Sequence, residues 1–149
     1  MSADKGTAPS VLFHVHVADV LAYAVRLLRK AHTSDTPVHV LMGDHSAEQL
    51  SAMLWALPDA EFVPHAMYSA QRFAAEQGRT RIWLDASGSQ ESVCAVALNL
   101  AQSPVVVQPH LIKLIEVVGT HEAEVLAARA RWRRYVAHGW APEKFVARI

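Results

Sequence analysis

The stretch VLFHVHVADVLAYAVRLLRKA, residues 11–31, switches its hydrophobic period partway along, and that switch decides the fold class. Val11–Val17 is apolar and β-branched, as a strand requires, whereas from Asp19 onward Val20, Ala24, Leu27, Leu28 and Ala31 recur at helical spacing. HTSDTP breaks the helix. Val38–Met42 (VHVLM) then reads as a second strand, too brief and too β-branched for a helix. Gly43 and Asp44 turn the chain into Ser46, which with Gln49 makes an S-x-x-Q capping box for a helix reaching about Leu57. Leu50, Met53 and Leu54 face inward, and Pro58 closes it.

Further along, Arg81–Leu84 (RIWL) and Val93–Leu100 (VCAVALNL) read as strands, joined by the polar loop DASGSQES with nothing long enough for a crossover helix. After the break SPVVVQPH, Ile112–Val118 is another strand. From about Thr120 the chain EAEVLAARARWRRYVAH is a helix that ends at Gly139, the expected C′ residue. Strands interleaved with helices predict a three-layer α/β architecture whose central sheet is largely parallel but mixed.

With 149 residues, 52% of them hydrophobic and 19% charged, the chain is expected to form one domain over residues 1–149, with residues 1–10 as a flexible start. It is long enough to bury a core without staples. The single cysteine, Cys94, excludes an internal disulfide and reads as a buried, inert thiol in VCAVAL. The opening MSADKGTAPS has no apolar h-region, and no apolar run approaches the ~20 residues of a membrane span, so a cytoplasmic location without membrane contact is expected.

The formal net charge is zero, yet residues 1–128 hold 8 basic and 13 acidic side chains (net −5), and residues 129–149 hold 6 and 1 (net +5). A whole-chain nucleic-acid binder is usually basic throughout, so this patch points to a local acidic partner.

Most catalytic signatures are missing. There is no G-x-G-x-x-G and no Walker A, since Gly43 is followed by DHSAEQ without the lysine that reaches phosphates. ASGSQ lacks a hydrolase elbow, and no carboxylate pair stands at acid–base spacing. No catalytic residue and no cofactor is expected. His14-x-His16 places two imidazoles on one face of the first strand, half of a metal site, but no second ligand pair accompanies them. Metal binding is therefore not expected, and a hydrogen-bonded or solvent-facing role is favoured for both.

Two segments carry more information. In LWALPDAEFVPH, residues 54–65, Pro58 and Pro64 hold Trp55, Phe62 and Val63 on an irregular stretch; by residue type alone, Trp55 and Phe62 are expected to close the core. In RARWRRY, residues 129–135, Val125, Ala128, Trp132 and Val136 form an apolar stripe with Arg129 at its edge. A guanidinium beside an indole suits a carboxylate that ends an aromatic side-chain segment, so Arg129 and Arg133 are read as binding groups. Arg131 and Arg134 are read as pointing away from the stripe into solvent.

These segments resemble the chi subunit family of bacterial DNA polymerase III. The matching pieces are MLWALPDAEFVPH, ALNL, IEVVG and RARWRRYVAHGW, in series between Val11 and Trp140. The resemblance implies a Rossmann-like α/β fold and a subunit of the clamp-loader assembly that does no chemistry by itself. It also implies two partners: the psi subunit, and the acidic C-terminal tail of the single-stranded-DNA-binding protein, through which DNA is reached indirectly. Trp55, Phe62, Pro64 and His65 match the psi-facing segment, and Arg129, Trp132 and Arg133 match the tail-binding helix. Position 125 departs from the pattern, being Val where a basic residue is expected, which implies weaker tail binding.

Two other readings compete. One is a small α/β hydrolase-like or nucleotide-handling enzyme using His65 as general base near Asp59 or Asp85. The other is direct binding of single-stranded DNA through Trp132 and the arginines.

Overall fold

The computed structural model describes residues 8–76 and 78–147. In chain order the elements are β1 (Ser10–Val17), α1 (Val20–Thr33), β2 (Val38–Leu41), α2 (Ala47–Trp55), a 3-10 turn (Asp59–Glu61), β3 (Ala66–Met67), α3 (Ala70–Glu76), β4 (Ile82–Asp85), β5 (Val96–Asn99), β6 (Lys113–Gly119), α4 (Glu122–Ala137) and β7 (Glu143–Val146). The expectation of a flexible start falls largely on residues 1–7, outside the described residues; Ser10 is already paired with Lys113.

Local chemistry starts and stops the helices as the sequence leads one to expect. The Asp19 carboxylate accepts the Ala22 N–H at 3.1 Å to open α1, and Ser46 Oγ accepts the Gln49 N–H at 3.0 Å to open α2. Gly139 sits at φ 88°, the left-handed conformation that ends α4 without a Cβ clash. Three elements escape the sequence pattern. β3 has only two residues, α3 has no buried residue, and β7 (EKFV) is exposed along its length and acquires strand form by pairing with β1.

The strands lie in the order β3, β4, β2, β5, β6, β1, β7, and every pairing is parallel. The mixed sheet expected from the sequence is thus not found among the described residues. β4 and β5 are not neighbours but flank β2, and residues 86–95 cross over it without a helix. Side chains replace the helix in satisfying that loop's backbone. Asp85 accepts the Ser87 N–H (2.8 Å), His39 Nδ1 accepts the Val93 N–H (3.0 Å) and Gln108 accepts the Ser92 N–H (2.8 Å).

Both faces of the sheet are covered. On one, Leu21, Ala24 and Leu28 of α1 and Leu50 and Leu54 of α2 pack on Val38, Val40, Ile82, Leu84, Val96 and Leu98. On the other, Ala128 and Tyr135 of α4 and Val105 and Leu111 pack on Val11, Phe13, Ala97, Leu114 and Val118. Cys94 is buried, and desolvation pushes its thiol up to about 11, in keeping with an inert thiol. Among the described residues no helix is long and apolar enough to cross a membrane.

The α4 face also buries a polar seam. His39 Nε2 meets Asp85 at 2.8 Å, and because His39 Nδ1 accepts from Val93, the imidazole is neutral and donates to the carboxylate. On the same face, the fully buried Glu116 carboxylate accepts Arg131 Nε–H at 3.0 Å, Tyr135 O–H at 2.5 Å and the Asn99 amide at 3.0 and 3.1 Å. Arg131, read from sequence as solvent-facing, is thus 1% exposed. Its guanidinium also donates to the Gln102 carbonyl at 3.2 Å. Burial raises the Glu116 carboxyl above its ordinary range, opposed by the Arg131 charge and by the donors around it. Burial and Glu116 together raise the Tyr135 phenol as well.

Two predictions test the buried polar groups. Arg131→Ala leaves a buried carboxylate uncompensated and costs about 3–5 kcal/mol, whereas Arg134→Ala, at an exposed site, stays within ~0.5 kcal/mol; urea unfolding measures both. Burial also lowers the His39 and His14 imidazoles, the latter with help from Lys113 and Lys30. The unfolded chain binds protons near pH 6.5 that the fold refuses, so stability is level above about pH 7 and falls as pH drops below it, by at most about 1.4 kcal/mol per pH unit for each imidazole. A flat profile from pH 7 to about pH 5 in chemical denaturation would contradict the two buried neutral histidines.

Candidate docking surfaces

Anchoring Arg131 beneath α4 fixes which residues the helix presents outward. Ala128, Arg131 and Tyr135 form the buried seam, Trp132 lies beside it half-buried, and Arg129 and Arg133 are exposed one turn apart. The stripe read from sequence is therefore displaced. Val125, Ala128 and Trp132 do face inward, but Val136 is 50% exposed, and Tyr135 takes the inner position at the C-terminal end. A signal for this was present: Glu116 stands in the apolar run IEVV, and a carboxylate on a buried strand needs a cationic partner.

Between α4 and the β1–β7 side of the sheet a cleft of ≈ 520 Å³ opens, with Arg129, Trp132 and Arg133 all on its lining. The floor is apolar: Phe13 and Val15 of β1, Val118 of β6, and Val125, Ala128 and Trp132 of α4. The Trp132 ring rests on Phe13, centroid to centroid 5.1 Å. Lys144 of β7 and His16 of β1 complete the wall opposite the arginines. Sequence reasoning missed both, Lys144 because β7 was not recognised and His16 because it was paired with the wrong neighbour. Among the described residues Arg129, Arg133 and Lys144 make no ion pair with a carboxylate. An apolar floor rimmed by unneutralised cations selects an anionic ligand with an apolar end.

His14 and His16 do not share a face. β1 pairs regularly with β6 as far as His14, and the register then shifts before Val17 meets Gly119. His14 is buried on the α1 side, its Nδ1 hydrogen-bonded to the Tyr23 hydroxyl and its ring 5.1 Å from Phe145, while His16 turns into the cleft. The half metal site read from their spacing is thus divided between two faces. At the end of β6, a Cβ on Gly119 would come within 2.2 Å of the Glu124 carboxylate, so the side chain that accepts the His121 N–H at the start of α4 would have to swing aside.

The second surface is aromatic. Trp55, expected by residue type to close the core, is 67% exposed; it lies against half-buried Phe62 (4.7 Å between centroids), with the His65 ring 6.1 Å from Trp55 and 6.2 Å from Phe62. Pro64 is exposed beside them, and Val63, fully buried, is the residue that anchors the segment. Arg29 and Glu61 form an ion pair at 2.8 Å at its margin. His65 is oriented by its neighbours: Nδ1 donates to the Val63 carbonyl (2.8 Å), leaving Nε2 to accept from the Ser51 hydroxyl (2.7 Å). The general-base reading with Asp85 fails, because Asp85 is committed to His39, and among the described residues Asp59, exposed in the 3-10 turn, has no hydrogen bond to His65.

A family model described as DNA polymerase III chi subunit, HolC, matches residues 9–143. No curated protein matches the chain.

The exposure of Trp55 yields a stability contrast. Trp55→Ala costs under about 1 kcal/mol, whereas Trp83→Ala, which removes a 1% exposed ring packed edge-on against Tyr68 and Phe73, costs about 3–5 kcal/mol. Denaturant melts of the two variants side by side decide it, and a large loss in Trp55→Ala would mean that the ring is structural.

Proposed function

The chain belongs to the DNA polymerase III chi subunit family and is an accessory component of the replicative polymerase; on that premise we propose that it bridges the psi subunit of the clamp loader and the acidic C-terminal tail of the single-stranded-DNA-binding protein, by protein contacts alone. The observation that carries the reading is the α4 cleft. Its arginine fork and lysine offer charge to a terminal carboxylate and acidic side chains, and its Phe13 and Trp132 floor takes an apolar terminus. Trp55, Phe62, Pro64 and His65 form the surface assigned to psi, an exposed aromatic patch of the kind that anchors interfaces.

The placement of the two surfaces supports a bridge. The aromatic patch belongs to the layer of α1 and α2 and leads into β3, whereas the cleft opens on the α4 face beside β1 and β7, so the sheet lies between the two occupants. Neither partner then blocks the other. Direct stacking of single-stranded DNA is less well supported, because Trp132 already leans on Phe13 and has one face fewer to offer a base.

Titration calorimetry with a synthetic tail peptide tests the cleft. Arg129→Ala abolishes measurable binding and leaves the unfolding midpoint unchanged, and wild-type affinity declines with added salt because the rim is exposed. Full affinity in Arg129→Ala, or tighter binding of a bare oligonucleotide than of the peptide, would remove the tail assignment. Loss of psi co-purification in Trp55→Ser, with tail binding intact, checks the other surface independently.

A further inference from the structure

We infer that the strand wall of the cleft is a second anion-reading locus, in which Lys144 of β7 and His16 of β1 engage acidic side chains that precede the terminal carboxylate of a docked peptide. This rests on the reading of the cleft given above and divides the peptide's charges between its two walls.

The first support is the irregularity in β1. Between His14 and Val17 the chain advances three residues while β6 advances two, from Val117 to Gly119, so β1 carries one extra residue, a bulge. In a regular strand neighbours alternate between faces, yet Val15 and His16 both line the cleft. The bulge re-aims one side chain, and the one it re-aims is an imidazole.

The second support is conformational. His16 holds φ at 62°, the left-handed region that side chains other than glycine avoid. Among the described residues its exposed imidazole makes no hydrogen bond or ion pair, so nothing within the fold offsets that strain. Strain retained without an internal partner, at the rim of a binding cleft, points to a partner from outside.

The third is charge. Lys144 lies in register with Phe13, the floor of the cleft, and faces α4 with no carboxylate partner among the described residues. A volume of ≈ 520 Å³ accommodates a terminal aromatic residue with its carboxylate at the Arg129 and Arg133 forks. The residues before it then leave along the strand wall. A flexible ammonium suits side-chain carboxylates in several positions, whereas the planar guanidinium fork suits one fixed carboxylate.

The test uses the full chain and two short peptides ending in a free phenylalanine carboxylate, one carrying several aspartates upstream and one with asparagines in their place. Lys144→Gln and His16→Gly each weaken the aspartate peptide about 2- to 5-fold and leave the asparagine peptide unchanged. In addition His16→Gly raises the thermal midpoint by about 2–5 °C, as relief of backbone strain requires. Equal losses for the two peptides, or no loss in either variant while Arg129→Ala still abolishes binding, overturn the strand-wall locus and leave the tail reading standing. If Arg129→Ala binds both peptides normally, the cleft itself has been misread.

Discussion

The Glu116 carboxylate has no access to water, and the orientation of α4 depends on how that charge is satisfied. Arg131 and Tyr135, one turn apart on α4, and Asn99 on the adjacent strand all donate to it. Because an unpaired buried charge is so costly, a helix rotated away from this arrangement is strongly disfavoured. Rotation and register of α4 are thereby set from beneath. The outward placement of Arg129 and Arg133, and the lean of Trp132 on Phe13, follow from that one anchor.

The same economy of positioning recurs at β1. A single extra residue separates two histidines that a regular strand would have placed side by side, sending His14 into the α1 layer and His16 into the cleft. The all-parallel sheet contributes differently. Its short crossover at residues 86–95 is held by side chains of His39, Asp85 and Gln108 instead of a helix, which keeps β4 and β5 on either side of β2. A buried neutral histidine is thus a structural part of the connection, not a free acid or base.

These features give the accessory-subunit reading its physical content. The molecule presents two exposed surfaces of unlike chemistry, one aromatic and one cationic over an apolar floor, held apart by the sheet. Rigid separation favours simultaneous engagement of two partners, since neither has to order the chain before the other binds.

The amino-acid sequence alone determined the class of fold, the caps at Asp19, Ser46 and Gly139, and the residue types at the candidate sites, because periodicity, capping and composition are local properties. It could not determine the parallel sense of every strand, the short edge strands β3 and β7, or which arginine of RARWRRY is buried. Those depend on partners far along the chain: β2 between β4 and β5, β1 beside β7, and Glu116 beneath Arg131. An arginine and a tryptophan look alike in sequence whether buried or exposed. Residue type alone misplaces Arg131 and Trp55 for that reason, although the family resemblance puts Trp55 on a surface segment; long-range packing put the charge inside and the indole outside.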